Sequence, residues 1–198
     1  MIDAFSLFSI DPHPWIDQDK LKSKFLKLSE SHHPDRVRLT SSPTAVQADQ
    51  IYADINAAFG VLKSHRDRLA LLWELETGEK APSTANMPED LTALFLEVGQ
   101  VCVEVARFNT ERLKLTSPIL KAQAFGESLI WTQRLQEIQS RVSDLELVFA
   151  SDLIALDQQW KSLESTTRRE NLLRFHFRAS CLQRWKDQLR ERISQLAF

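Results

Sequence analysis

The sequence is short of several things that most functional classes need. It has four glycines in 198 residues, too few for a Gly-rich phosphate cradle or for a strand-rich fold with many tight turns. Its two cysteines, Cys102 and Cys181, supply neither a CxxC pair, a zinc cage nor a disulfide framework. No run of about 18 uncharged apolar residues occurs, so no membrane partner is expected. The 25 Lys and Arg are matched by 27 Asp and Glu, and a net charge of -2 excludes polyanion binding by bulk charge. The opening Met1-Ile2-Asp3 lacks the positive-then-apolar order of a signal peptide, so a cytoplasmic location with free thiols is expected. What remains is 43% hydrophobic and 26% charged, the composition of a folded protein rather than a disordered one.

The apolar residues recur at helical spacing from end to end. Asp11-Pro12-His13-Pro14 separates a short apolar start (Phe5, Leu7, Phe8, Ile10) from a charged stretch that Asp17 is suited to cap. Leu21, Phe25 and Leu28 then form one helical face and Lys20, Lys24 and Lys27 another. Pro34 ends this helix, because the residue before a proline is pushed out of the helical region. Ser42-Pro43 predicts a new start, followed by a stripe of Ile51, Ile55, Ala58, Phe59 and Leu62. A fourth segment from about His65 to Glu76 carries Leu69, Leu72, Trp73 and Leu75. The polar, breaker-rich stretch Thr77 to Asn86 marks a domain boundary.

Beyond that boundary the spacing approaches a heptad. Leu94, Val98, Val101, Val105 and Phe108 alternate steps of four and three. Ser117-Pro118 restarts a helix bearing Trp131, Leu135, Ile138, Val142, Leu145 and Phe149, and its apolar spacing runs on to Trp160 and Leu163 without a clear stop. Thr167 with Glu170 matches a capping box for a last helix carrying Leu172, Phe175, Ala179, Leu182, Leu189, Ile193 and Leu196. Three such helices pack best as an antiparallel bundle.

One tripeptide stands out. His33-Pro34-Asp35 sits between the lysine-bearing helix and the next apolar-striped one. Taken alone it reads as a turn. Yet from Lys20 to Arg38 six basic residues (Lys20, Lys22, Lys24, Lys27, Arg36, Arg38) face two acids (Glu30, Asp35). A local basic patch on a mildly acidic segment suits an acidic protein surface better than a nucleic-acid backbone.

A short aromatic start, a basic helix, His-Pro-Asp and a helix ending Asn56-Ala57-Ala58-Phe59-Gly60-Val61-Leu62 follow in the order of a J-domain. Residues 1–76 thus resemble the J-domain of DnaJ-type co-chaperones. With no Gly/Phe-rich linker and no zinc repeat, and with a helical bundle directly after it, the chain looks most like the HscB family of iron–sulfur cluster assembly co-chaperones. Asp3-Ala4-Phe5-Ser6-Leu7-Phe8, Ala53-Asp54-Ile55-Asn56 and Arg68-Leu69-Ala70-Leu71-Leu72 resemble that family's motifs, whereas its Asp-Pro pair is replaced by His65-Arg66. His32 stands where an aromatic residue commonly precedes the tripeptide.

The resemblance implies an all-α fold: a J-domain over 1–76 with an antiparallel helix pair and the His-Pro-Asp loop, a linker over 77–88, and a three-helix bundle over 89–198. It implies no enzyme and no cofactor, but an activator of the ATPase of a DnaK/HscA-type chaperone. His33, Pro34, Asp35 and Arg36, with Lys20, Lys24 and Lys27, would contact that chaperone. The bundle would hold an IscU-type scaffold or another protein client. Aligning Leu94-Phe95-Leu96-Glu97 and Leu173-Arg174-Phe175 with the family pattern places Phe95, Leu96, Gly99, Gln100, Val103 and Phe175 at the client-binding positions. Helix geometry puts Leu96 and Val103 away from the Val98 seam, exposed on one stripe, while Phe175 on its own seam also fits plain core packing.

Two other classes have partial support in the sequence. From Arg168 to Arg192 the last helix has eight basic residues against three acids, with Phe177 and Trp185 read as lying off the seam, so it resembles a nucleic-acid contact or a solvated arginine face. No nucleic-acid motif accompanies it, and nucleic acid is not the expected partner. His32, His33 and Asp35 form a nominal metal or acid–base cluster, but adjacent loop residues rarely converge on one ion. His13, His65 and His176 are isolated, Cys102 and Cys181 read as structural, and no metal site is expected.

Overall fold

The computed structural model describes residues 3–32, 45–82 and 88–197, with side chains in the second stretch from residue 49. Among these residues all regular structure is helical. The elements are α1 (Ala4–Leu7), α2 (Gln18–Ser31), α3 (Ala45–Lys63), α4 (His65–Thr77), α5 (Glu89–Arg112), α6 (Pro118–Gln159), a 3-10 turn (Trp160–Ser162) and α7 (Ser165–Leu196). The expected all-α class is borne out.

Two compact units emerge, and they do not follow chain order. The first comprises Met1–Ser83 and Asp152–Phe177, the second Thr84–Ser151 and Arg178–Phe198. The two long helices, α6 and α7, therefore each contribute to both.

In the first unit the ends of the helices are set by local chemistry. Asp3 caps α1 by accepting the Phe5 amide at 3.0 Å, and Ser9 leaves that turn with a positive φ of 49°. The carbonyls left there accept from the Lys24 ammonium: Phe8 at 3.0 Å and Ser9 at 2.8 Å. Asp17 caps α2 as expected, accepting from the Asp19 and Lys20 amides. Ser64 caps α4, whose far end closes on Gly78 at φ 76°, a left-handed position that glycine occupies without Cβ strain. Phe5, Phe8, Leu21, Ile55, Leu62, Leu69 and Leu72 are buried together with Leu153, Trp160 and Leu172. Each such side chain stabilises the unit by about 1.5–3 kcal/mol relative to exposure. Phe25 of α2 stacks on Phe59 of α3 with centroids 4.2 Å apart. Ile51 and Leu75, read as stripe residues, are exposed: Ile51 lies a turn beyond the buried Ile55, and Leu75 points off the Arg68–Leu69–Leu72 face.

In the second unit, cross-helix contacts fix the helix directions. Glu97 pairs with Arg141 and Glu104 with Arg134, so α6 descends as α5 ascends. Asp90 pairs with Arg178 near the start of α5, while Arg112 at its end donates to the Gln195 and Leu196 carbonyls. That makes α5 and α7 parallel to each other and α6 antiparallel to both. Leu94, Val98, Val101 and Val105 of α5 are buried, as are Leu135, Ile138 and Val142 of α6 and Leu182 and Leu189 of α7.

Two sequence expectations need correction. α7 starts at Ser165, two residues before the expected cap, and the Glu164 carbonyl accepts the Arg168 amide at 2.9 Å. The 3-10 turn around buried Trp160 ends α6 so tightly that Thr167 already lies inside the new helix. Trp185 is buried, because Leu182, Trp185 and Leu189 step by three and four on the seam itself.

Candidate protein-binding surfaces

The first candidate surface is the basic face of α2. Lys20 and Lys27 are exposed on it, and Lys22 is exposed on the other flank of the helix, whereas the Lys24 ammonium is held by the Phe8 and Ser9 carbonyls. Lys24 therefore ties α2 to the turn after α1, a structural task that its place in the lysine repeat conceals. α2 closes on His32, whose amide donates to Leu28 O at 3.1 Å. His33, Pro34, Asp35 and Arg36 lie outside the described residues.

The second surface is on α5. Leu96 is 63% and Val103 70% exposed, as the helix geometry predicts, and Phe95 is partly exposed beside them. A Cβ placed at Gly99 would meet nothing within 4 Å, so the surface is flat between the two aliphatic side chains. Gln100 is exposed and donates to the Glu104 carboxylate at 2.9 Å. Glu97 and Glu104 at the edge of this strip are held by Arg141 and Arg134 of α6. Phe95, Leu96, Gly99, Gln100 and Val103 thus form one solvent-facing strip. Phe175 is buried, belongs to the other compact unit, and has the Arg174 guanidinium over its ring at 5.1 Å. Core packing is the reading that fits it.

The arginine-rich part of α7 is committed elsewhere. Arg168 pairs with Glu76, Arg169 donates to the Glu76 carbonyl, Arg174 to Asn171, Arg178 pairs with Asp90, Lys186 with Glu146, and Arg192 with Gln195 and Glu191. With six of the eight basic residues so engaged and Trp185 buried, the helix offers little to a phosphate backbone.

Two internal features of the first unit escaped the sequence reading. Arg68 is fully buried and donates to the Pro14 and Leu62 carbonyls; burial lowers its pKa to about 10, with the Asp157 charge opposing. Asp157 also binds His13 at 2.8 Å, so His13 is not isolated. A groove of about 590 Å³ between α3 and α4 is lined chiefly by alanines, with Val61 and Leu71, and has Asp54, Asp67, Glu74, Lys80 and His176 at its edges. Burial, then the Arg66 charge, pushes the His176 pKa down, with Asp67 opposing. Both cysteines are buried, and burial raises their thiol pKa values. Among the described residues no helix is long and apolar enough to cross a membrane, and no three His, Cys, Asp or Glu side chains are grouped to hold a metal ion.

No family model matches the chain. Similar to it is the co-chaperone protein HscB homolog of Mannheimia succiniciproducens, 22% identical over 166 residues that cover 75% of this chain and 96% of the relative. The HscB homolog of Haemophilus ducreyi is 32% identical over 94 residues, 48% of this chain and 54% of the relative. In fold, the chain is similar to the crystal structure of human co-chaperone protein HscB, with a TM-score of 0.50 and 18% identity over 94% of this chain and 81% of that one.

Proposed function

We propose that this HscB-like chain is a J-type co-chaperone of iron–sulfur cluster assembly. It engages a DnaK/HscA-type chaperone through His33-Pro34-Asp35, Arg36 and the exposed lysines of α2, stimulates that chaperone's ATPase, and delivers an IscU-type scaffold held on its bundle. The observation that carries this reading is the likeness to an HscB homolog over 96% of that relative's length. It is supported by the order of the segments: capped α1, basic α2, the His-Pro-Asp tripeptide, then the bundle.

The chain then needs no catalytic group of its own. An exposed ion pair between Asp35 and a cation on the chaperone is worth only about 0.2–1 kcal/mol. Its effect must come from binding one conformation of the chaperone better than another, with the bond-breaking chemistry supplied by the partner. The lysines steer the encounter with an acidic surface. On the bundle, covering Leu96 and Val103 would contribute about 1.5–3 kcal/mol each, enough to make them the centre of a client contact.

The decisive experiment is single-turnover ATP hydrolysis by the DnaK-type chaperone with the wild-type chain and with Asp35→Asn. Stimulation by the wild type and none by the variant is the expected result; equal stimulation by both refutes the assignment. Calorimetric titration with the IscU-type scaffold separates the client question. Absence of binding would keep the J-protein and give the bundle a different client, a reading favoured by Gly99 and Gln100, which replace a leucine and an acid of the family pattern.

A further inference from the structure

α2 is anchored to the first unit along a narrow line. Of its 14 residues only Leu21 is fully buried, and Phe25 stacks on Phe59 of α3 with centroids 4.2 Å apart. At 100° per residue these two side chains lie only about 40° apart around the helix. Apolar packing is non-directional, so it resists a roll of α2 about its own axis poorly. Lys24 supplies a second line of attachment. It lies about 60° around the helix from Leu21, on the side of Lys20 and Lys27. Its half-buried ammonium donates to Phe8 O at 3.0 Å and to Ser9 O at 2.8 Å.

The acceptor side is shaped for this cation. Ser9 has a left-handed φ of 49°, an uncommon conformation for a residue with a Cβ. The turn around it is held by the Phe8, Ser9 and Ile10 amides, which donate to the Ala4, Ser6 and Phe5 carbonyls. The carbonyls of Phe8 and Ser9, one on each side of the Ser9 Cα, thereby converge on one ammonium. Strain kept at a residue other than glycine points to a task for the conformation.

We infer that Lys24 and the Ser9 turn form a clasp that fixes the rotation of α2, which makes Lys24 a positioning residue for chaperone engagement and not a contact residue. The inference deepens the co-chaperone reading of α2 and rests on it. Lys20 and Lys27 keep their side chains in solvent, where an acidic surface can meet them. Pairing with such a surface depends on the direction in which the charges are presented. A roll of α2 turns both lysines away together, and the clasp prevents it. The Lys24 ammonium, already spent on two backbone carbonyls, takes no part in the pairing itself.

Stimulation of single-turnover ATP hydrolysis by the DnaK-type chaperone tests the clasp from both sides. Lys24→Met removes the donor. Ser9→Pro abolishes the left-handed turn, because proline holds φ at roughly −65°, and leaves every lysine in place. Each variant of the full chain, checked for native helicity by circular dichroism, is expected to raise the half-saturating concentration at least fivefold. The double variant is expected to raise it no further than either alone, the signature of two groups acting as one device. Either single variant that stimulates like the wild type overturns the inference. So does a double variant whose losses multiply, the behaviour of a lysine that touches the chaperone directly. A wild-type chain that stimulates nothing refutes the co-chaperone reading instead. Amide exchange at Ile10, whose N–H donates to Phe5 O at 3.0 Å, then tests the clasp without the chaperone. Lys24→Met is expected to speed that exchange at least tenfold, and unchanged exchange overturns the clasp.

Discussion

His13 and Asp157 lie 144 positions apart in the chain and 2.8 Å apart in space. The same carboxylate oxygen accepts the Trp15 amide at 3.0 Å, and the Asp157 charge is the one that favours the buried Arg68 guanidinium. A side chain in the last turn of α6 thereby fixes the proline-bounded segment that leads into α2.

Removing that carboxylate leaves a partly buried amide and an imidazole without their acceptor and withdraws the counter-charge from Arg68. Asp157→Ala is expected to lower stability by about 1–3 kcal/mol, and Asp157→Asn by less, because its amide oxygen still accepts from Trp15. Urea unfolding followed by circular dichroism measures both; an Ala variant as stable as the wild type would show that the segment is held by other means.

Arg68 makes a sharper case. Its Nε donates to Pro14 O at 2.8 Å and its Nη1 to Leu62 O, and the side chain is fully buried. With a pKa of about 10 it stays charged at neutral pH. A lysine carries the same charge, but a single ammonium does not reproduce the fork that spans two carbonyls. Arg68→Lys is therefore expected to cost about 1–3 kcal/mol, the penalty for one buried acceptor left unpaired. A Lys variant that unfolds at the wild-type urea concentration would contradict this.

These two contacts also show where sequence reading stops. The helices were legible because each carries its own signals: Asp17 as a cap, Pro34 as a stop, and Leu94, Val98, Val101 and Val105 as a seam. The exposure of Leu96 and Val103 followed from the same periodicity. Asp157 gave no such signal, since its partners are 142 and 144 positions away. Lys24 looked like one of three equivalent lysines until the turn after α1 placed two carbonyls at its ammonium. Trp185 was misplaced although it lies three residues after Leu182 and four before Leu189, where the same periodicity sets it on the seam. The outward apolar run from Ile119 to Ile130 was visible in the sequence, but only the burial of Ala124 and Ser128 shows which side faces solvent.

His176 predicts an acid response. Burial and the Arg66 charge hold its pKa below the ordinary 6.5, with Asp67 opposing and Asp54, Glu74 and Lys80 around the same groove. Between the lowered value and 6.5 the unfolded chain binds more protons than the folded one. Stability therefore falls as pH drops through that window and is regained above it. In His176→Asn the urea midpoint is expected to change less between pH 7.5 and pH 5 than in the wild type. Parallel pH profiles for the two proteins would assign the acid response to other groups.

The last prediction separates binding from folding on α5. Leu96 is 63% exposed and makes no part of the Val98 seam, so Leu96→Asp removes apolar contact area without opening a cavity. Its unfolding free energy is expected to stay within about 0.5 kcal/mol of the wild type. Burying Leu96 under a partner contributes about 1.5–3 kcal/mol, and an aspartate there must be desolvated as well, so affinity for the scaffold is expected to fall at least tenfold. Val98→Asp, on the buried side of the same helix, reverses the pattern by unfolding the bundle. Calorimetric titration and urea unfolding on the same preparations give both numbers. A Leu96 variant that binds the scaffold like the wild type would take α5 out of the client contact.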